Sequence, residues 1–299
     1  MTIAFVINAR QKEKFVGRAV QSALEQTVPC EIILSYQDST DNTLQVMIDT
    51  AKAFGPCHHK IKIVKCPIRG AYGMKACNAH FRWAWQQTSK DCDWIYQLSA
   101  DDYSLPDRVK VCDEAVRKNQ CSAVACTMFF ENPGAETRQS VSGYPQRTGY
   151  VDAAEGLMNL AYGSVITGYS REFLEKMDDG GANTLDVYYG FLAALDKGFY
   201  VVKNEQHVHM QHADAGNMGF QGKMRNASGD ESLRLAELNH FQLLALYDHC
   251  FIRAGELHPE GIPRPAYDAC LNILFGQAKS WLEARKVLHL NNIVPGTLP

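Results

Sequence analysis

Residues 94–102 read Trp94-Ile-Tyr-Gln-Leu-Ser-Ala-Asp-Asp102, an apolar run that ends in two small residues and two acids. The run predicts a buried strand, and open α/β sheets bind their ligands beyond the carboxyl ends of such strands. A carboxylate there is a hard oxygen donor that suits a divalent cation holding phosphates. Alternatively, Asp101 and Asp102 only cap the following helix, because Asp is a favoured N-cap residue and Pro106 fits a helix start. The rest of the chain favours a nucleotide site with a metal.

Strands and helices alternate on both sides of this run. Apolar patterns predict strands at residues 3–7, 31–35, 61–65 and 123–130, with helices beginning near residues 15, 43 and 75. This alternation predicts a parallel sheet with right-handed crossovers, and so a Rossmann-like α/β first half. Further along we expect a polar loop over 132–149 near the acceptor, a helix over 185–195, a strand over 199–202, a His- and Gly-rich loop over 207–222, and helices from 228 onward.

The composition limits the classes of protein to consider. At 299 residues, with 46% hydrophobic and 21% charged residues, the chain can bury a full core. Its net charge of −3 gives no basic field of the kind that nucleic-acid binders use. The first ten residues lack the pattern of a signal peptide, and no run approaches the ~18 apolar residues that span a bilayer. We therefore expect a soluble cytoplasmic protein whose ten cysteines are reduced.

Four spaced segments carry the chemistry of the chain. Glu31-Ile-Ile-Leu-Ser-Tyr-Gln-Asp-Ser-Thr-Asp-Asn-Thr43 is a strand followed by an acidic turn, and Leu98-Ser-Ala-Asp-Asp102 is the acidic strand end. Thr184-Leu-Asp-Val-Tyr-Tyr-Gly190 begins a helix with an acid, and His207-Val-His-Met-Gln-His212 is a His-rich run with Asn217 beyond it. In this order and spacing they resemble glycosyltransferase family 2, the inverting enzymes of the GT-A fold, over about residues 1–220.

The resemblance implies a fold and an activity. The fold would be α/β of the GT-A type, with a Rossmann-like nucleotide-binding sheet and flanking helices over residues 1–222 and a helical C-terminal extension over residues 223–299. Residues 1–130 would form the nucleotide-sugar half and residues 131–222 the acceptor half. The enzyme, a hexosyl- or pentosyltransferase, would move a sugar from a nucleotide-diphosphate donor to an acceptor hydroxyl with inversion. The acceptor stays open among a glycan, a lipid, a protein and a modified nucleic-acid base.

The resemblance also implies roles for particular residues. Asp101 would hold Mn²⁺ or Mg²⁺ on the diphosphate, and His212 would complete the metal site, which favours Mn²⁺ because imidazole is a borderline ligand. Asp186 would be the general base that takes the proton from the acceptor hydroxyl. The remaining donor contacts would come from seven residues, namely Asn8, Ala9, Arg10, Gln37, Arg69, Ser99 and Ala100.

Departures from the family pattern leave alternatives open. Tyr36 and Gln37 replace the usual paired acids, and the Gln37 amide can donate as well as accept, so a UDP-linked donor is expected with other bases possible. Ser99 replaces the first Asp of the DxD motif, and together with the missing paired acids it is the best support for a catalytically silent sugar-nucleotide or glycan-binding module. Retention of Asp101 and Asp186 argues against that module. A nucleotidyltransferase is the other alternative, but residues 8–12 lack its Gly-rich, basic signature.

Overall fold

The computed structural model describes residues 1–68, 74–132, 134, 137–140, 147–158, 166–177, 185–212 and 249–264, together with residues 268, 272 and 276. These residues form one sheet with helices on both faces. The strands are β1 (Ile3–Ala9), β2 (Glu31–Tyr36), β3 (Lys60–Lys65), β4 (Trp94–Ser99), β5 (Tyr103–Ser104), β6 (Ala123–Glu131), β7 (Gln139–Ser140), β8 (Gly149–Val151), β9 (Thr167–Ser170) and β10 (Phe199–Met210). The helices are α1 (Val16–Leu24), α2 (Thr43–Phe54), α3 (Met74–Trp85), α4 (Arg108–Lys118), α5 (Ala153–Met158), α6 (Arg171–Lys176) and α7 (Leu185–Leu195), and residues 249–257 are also helical.

The sheet is parallel in its first half and mixed beyond it. Its strand order is β3-β2-β1-β4-β9-β6-β10-β5, and β1 to β4 run parallel. Strand β9 is antiparallel to both of its neighbours, β4 and β6, whereas β6 and β10 are again parallel. The predicted α/β class with a parallel, Rossmann-like first half is therefore confirmed, and the antiparallel β9 is an addition that the pattern of apolar residues did not reveal.

Two apolar cores lie on the two faces of the sheet. Helices α1, α2 and α4 cover one face, where Phe5 and Ile7 are fully buried. Helices α3, α5, α6 and α7 cover the other face, where Val6 and Phe191 are fully buried, and Cys250 of the last helical segment joins this core. Each fully buried side chain of this size stabilises the fold by about 1.5–3 kcal/mol.

The face beneath α3 changes from apolar to polar at the carboxyl ends of the strands. On this face Val6 lies between Ile33 of β2 and Gln97 of β4, and two residues later Asn8 lies between Ser35 of β2 and Ser99 of β4, so that the whole row is polar. The opposite face stays apolar to the ends of the same strands. The polar row Ser35–Asn8–Ser99 therefore marks the edge at which a polar ligand can meet the sheet.

Strand β10 is the largest departure from the sequence-based expectation. Residues 207–222 were predicted to form a loop, but the strand that begins at Phe199 continues to Met210, so this prediction is wrong for its first four residues. Register shifts between Val202 and His207 let the polar part of the strand stay paired with β6, and β5 pairs with its other edge. His207 and His209 are consequently strand residues. Residues 213–222 and the predicted domain boundary at residue 222 lie outside the described residues.

Other local expectations can also be compared with the structure. Helix α4 begins at Arg108 after Asp107, and β5 separates it from the two acids, so Asp101 and Asp102 do not cap it. Within the predicted polar loop over 132–149, residues 139–140 form β7, which pairs with the end of β6. In the part of the chain that the structure describes, no helix is long and apolar enough to cross a membrane.

Candidate functional site

The turn after β4 holds a carboxylate in a fixed orientation. The Ser99 hydroxyl donates a hydrogen bond to Asp101 Oδ1, and the Asp102 amide donates to the Ser99 carbonyl at 3.2 Å. The side chain of Asp101 is 12% exposed, so the carboxylate is largely removed from water yet still reachable. Ser99 therefore orients Asp101 in this structure, although it replaces an acid in the sequence motif.

Two basic side chains approach the other oxygen of Asp101. Lys12 Nζ lies 2.5 Å from Asp101 Oδ2, and His212 Nε2 lies 3.4 Å from the same oxygen. The imidazole contact is too long for a well-formed hydrogen bond, and both ring nitrogens of His212 are buried without a hydrogen-bond partner among the described residues. The ring of Phe15 stacks on His212 with centroids 4.0 Å apart and so holds the imidazole in place.

The surroundings of Asp101 favour its charged form. Burial alone raises the pKa of this carboxyl, but the contacts with His212, the positive charge of Lys12 and the Ser99 hydroxyl outweigh burial. The pKa of Asp101 consequently lies well below its usual range. An ionised carboxylate is the form that a cation requires.

This arrangement fits a divalent metal that is coordinated partly by protein side chains and partly by a bound phosphate compound. A carboxylate oxygen and a buried imidazole without a hydrogen-bond partner lie within 3.4 Å of each other, and ligands about 2.1 Å from a shared octahedral ion lie about 3 Å apart. Among the described residues no three His, Cys, Asp or Glu side chains form a metal-binding group. Such an ion would therefore take its other ligands from donor phosphates and water, as Mg²⁺ often does in phosphate-binding sites.

Asp102 connects the same turn to strand β10. Its buried carboxylate accepts a hydrogen bond from the Met210 amide at 3.0 Å and lies 3.1 Å from His209 Nδ1 and 3.4 Å from His207 Nε2. Burial raises the pKa of Asp102, but the charge of His209 and contacts with both histidines bring it below the usual value. Burial lowers the pKa of His207 to about 4, whereas the Asp102 charge outweighs burial at His209 and raises its pKa. Asp102 thus fixes the position of β10 just before His212.

The residues predicted to contact the nucleotide differ in which of their atoms can reach it. The amide oxygen and nitrogen of Asn8 are buried without a hydrogen-bond partner among the described residues. Gln37 Nε2 donates to the Ile68 carbonyl at 3.2 Å, which leaves the amide oxygen as the acceptor. The side chains of Ala9 and Ala100 are buried on the apolar face beneath α1, so only their backbone atoms could contact a donor.

The remaining predicted site residues are Arg10, Asp186 and Arg69. Arg10 follows β1 directly. Burial is the main cause of the lowered pKa of His80 in α3, and the positive charge of Arg10 lowers that pKa further. Asp186 is the second residue of α7, but its side chain lies outside the described residues. Arg69 also lies outside them. The structure therefore brings Asn8, Ser99, Asp101 and His212 to one edge of the sheet and leaves the positions of the Asp186 and Arg69 side chains as predictions.

Lys12 is the residue of this site that sequence reasoning missed. It lies in the loop between β1 and α1, which is hydrogen-bonded to the loop between β2 and α2 and to the first residue of α2. The Gln11 amide donates to Ser39 Oγ at 3.0 Å, and the Lys12 amide donates to Thr43 Oγ1 at 2.7 Å. Gln11 has a φ of 53°, a left-handed conformation that non-glycine residues rarely adopt. The run of three charged residues after Gln11 was the one signal in the sequence.

Comparison with known proteins identifies both the family and the fold. The family model for glycosyl transferase family 2 matches residues 4–178. S. aureus TarS 1–349 in complex with UDP-GlcNAc is 13% identical with a TM-score of 0.57, over 93% of this chain and 80% of that chain. The mannosyltransferase PcManGT from Pyrobaculum calidifontis, in complex with GDP-Man and Mn²⁺, is 12% identical with a TM-score of 0.54. This match also covers 93% of this chain and 80% of that chain.

A further TarS structure from S. aureus extends well beyond this chain. It is 15% identical with a TM-score of 0.54, and the match covers 80% of this chain but 43% of that one. No curated protein sequence matches the chain. At these identities the likeness concerns the fold, which is the mixed α/β sheet with flanking helices of the GT-A glycosyltransferases.

Proposed function

Because the chain belongs to glycosyl transferase family 2, we propose that it moves a sugar from a nucleoside diphosphate sugar to an acceptor hydroxyl with inversion. The observation that carries this proposal is the pairing of Asp101 with a buried His212 that lacks a hydrogen-bond partner among the described residues. Both lie at the carboxyl edge of the sheet, beside the polar row that contains Asn8 and Ser99. An acidic site beside polar strand ends is what a diphosphate with a cation requires.

The proposed donor follows from the family and from the amide at Gln37. TarS and PcManGT bind UDP-GlcNAc and GDP-Man respectively, which supports a sugar nucleotide as the donor. The Gln37 amide nitrogen is engaged by the Ile68 carbonyl, and its oxygen then suits a base that presents an imide N–H, such as uracil. We therefore expect UDP to be the preferred nucleotide, with Asn8 and Arg10 nearby.

The chemistry divides between leaving-group stabilisation and proton transfer. Asp101 and His212 would hold Mn²⁺ or Mg²⁺, which when bound supplies positive charge to the departing diphosphate. Ser99 keeps the Asp101 carboxylate oriented for this task. Asp186 would accept the proton of the acceptor hydroxyl as it attacks the anomeric carbon, so that a single displacement inverts the configuration. We place the acceptor-binding part within residues 131–222.

A binding and turnover experiment tests the proposal. The purified protein is melted with UDP, GDP, CDP or ADP in the presence of Mn²⁺, Mg²⁺ or EDTA, since a ligand at 100 times its dissociation constant stabilises by about 2.7 kcal/mol. We expect stabilisation by UDP that requires the metal. Slow hydrolysis of UDP-sugars, followed by NMR, should then yield a product of inverted configuration.

Two outcomes would contradict this function. Absence of nucleotide stabilisation under every metal condition would exclude a sugar-nucleotide site. Metal-dependent binding without hydrolysis or transfer would instead indicate the catalytically silent module for which Ser99 and the missing paired acids are the best sequence support. Family membership leaves the nucleotidyltransferase alternative without an observation in its favour.

A further inference from the structure

Lys12 occupies the oxygen of Asp101 that a metal would need. Its ammonium lies 2.5 Å from Oδ2, with exposed fractions of 13% for the lysine side chain and 12% for the carboxylate. His212 approaches that same oxygen, whereas Oδ1 accepts the hydrogen bond from Ser99. A divalent ion between Asp101 and His212 would therefore bind next to an ammonium group, and the two cations repel each other at such distances.

The backbone holds Lys12 in this position. The Lys12 amide is fixed to Thr43 Oγ1, and the Lys12 carbonyl accepts hydrogen bonds from the amides of Phe15 and Val16 at 3.0 and 2.9 Å. Phe15, one turn later, stacks on His212. A single loop thus positions both the ammonium and, through Phe15, the imidazole that approach one carboxylate oxygen. The side chain beyond the fixed backbone is long and rotatable, so its ammonium can move while the loop does not.

We propose that Lys12 is a diphosphate-binding residue that neutralises Asp101 in the ligand-free protein and turns to the donor diphosphate when the metal binds. The proposal rests on the proposed function, because it requires a nucleoside diphosphate donor. An ammonium close to the metal is unfavourable unless phosphate oxygens lie between the two cations. Lys12 therefore makes the metal bind weakly by itself and tightly together with a diphosphate.

This role predicts opposite changes in two binding measurements for the Lys12→Met variant. Mn²⁺ binding without nucleotide, measured by calorimetry, should become at least about tenfold tighter because the competing cation is gone. Pyrophosphate and UDP binding at saturating Mn²⁺ should become about tenfold weaker or more, because a charge-assisted hydrogen bond is lost. Neither measurement depends on activity.

Matched variants separate this role from general effects. Lys14→Met removes the same charge from an exposed position two residues away and should leave both affinities within about threefold of wild type. Lys12→Arg keeps the charge and should bind pyrophosphate at saturating Mn²⁺ nearly as well as wild type. If the Met variant does not fold, Lys12→Gln provides the same comparison.

The outcomes distinguish this proposal from the proposed function. Opposite changes at Lys12, absent at Lys14, support the assignment. If wild type binds UDP with Mn²⁺ but the Lys12 and Lys14 variants behave alike, the assignment of Lys12 fails and the proposed function stands. A parallel loss of Mn²⁺ and pyrophosphate binding in Lys12→Met, with the fold intact by thermal melting, also overturns it. If wild type binds no UDP under any metal condition, both proposals fail.

Discussion

Asp101 is the residue on which the metal dependence of donor binding should depend. In Asp101→Asn the neutral amide is a weaker metal ligand than the carboxylate, so UDP affinity in Mn²⁺ and in EDTA should become nearly equal. Wild type should show a difference of about tenfold or more, measured by calorimetry. Asp91→Asn, which alters an exposed acid shortly before β4, is the control. A metal effect in Asp101→Asn as large as in wild type would remove Asp101 from the metal site.

Asp186 should affect turnover without affecting donor binding. As the proposed base it acts on the acceptor hydroxyl, so Asp186→Asn should lower kcat by about 10²- to 10⁴-fold while UDP and Mn²⁺ affinities stay close to wild type. Single-turnover kinetics and calorimetry on the same preparation make the comparison. Loss of UDP affinity in proportion to activity would show that Asp186 is structural or linked to the metal.

The motifs predicted part of this site, but Lys12 lies in none of them. Asp101 and His212 were expected together because each lies in a recognisable segment, and the structure places them 3.4 Å apart. The contact between Lys12 and Asp101 joins residues 89 positions apart. No local pattern encodes such a contact, because it depends on how the loop after β1 is locked to its neighbour.

The helices and strands that could be predicted are those in which apolar residues recur at a regular spacing. Helix α7 was expected over the residues it occupies, and β4 ends at the expected place. By contrast, the second half of β10 is polar and is a strand only because β6 and β5 supply partners on both edges. Strand β9 spans four residues, too few for a period to be visible. Tertiary pairing, which the local sequence does not carry, determines both.

Gly168 gives a test of how tightly β9 fits between its neighbours. A Cβ at this position would lie 2.3 Å from Cε1 of Tyr96, a fully buried ring on the adjacent strand. Gly168→Ala should therefore lower the free energy of unfolding by about 1–3 kcal/mol, as overpacked cores do. Urea unfolding measures this change.

The matched control for that substitution is Gly255, in the helical segment 249–257. A Cβ there would have no atom within 4 Å, so Gly255→Ala should be neutral or stabilise by up to about 1 kcal/mol. Equal effects of the two substitutions would contradict the close packing of Tyr96 on β9.

The stability of the whole molecule should fall as the solution is acidified from pH 7 to pH 5. Burial, followed by the charge of Arg10, lowers the pKa of His80 from 6.5 to about 4. Between these values the unfolded chain binds a proton that the folded chain does not, so this stability is complete above pH 6.5 and is lost toward pH 4. At pH 5 the loss is about 2 kcal/mol. His207, with a pKa of about 4, acts in the same direction, whereas His209 has a raised pKa and opposes it.

Replacement of His80 isolates its share of this pH dependence. His80→Gln can still bond with Ser35 Oγ, which lies 2.7 Å from His80 Nε2, but it cannot take up a proton. Thermal unfolding of the variant should therefore depend less steeply on pH between 7 and 5 than that of wild type. Parallel pH profiles for the two proteins would show that His80 does not titrate as described.

The polar row Ser35–Asn8–Ser99 also determines where the chain can tolerate insertions. Successive residues of a strand point to opposite faces, so a slip of one residue between β1 and β4 would turn Ser99 toward the apolar helices and bring Leu98 or Ala100 to the row. One residue added inside either strand would thus move polar side chains to the apolar face and apolar side chains to the polar face at this edge of the sheet. Insertions of the same length near Gly134, in the polar connection after β6, change no face of the sheet. Single-residue insertions inside β1 or β4 should therefore be tolerated less well than insertions near Gly134, and an insertion scan would measure this difference without any ligand.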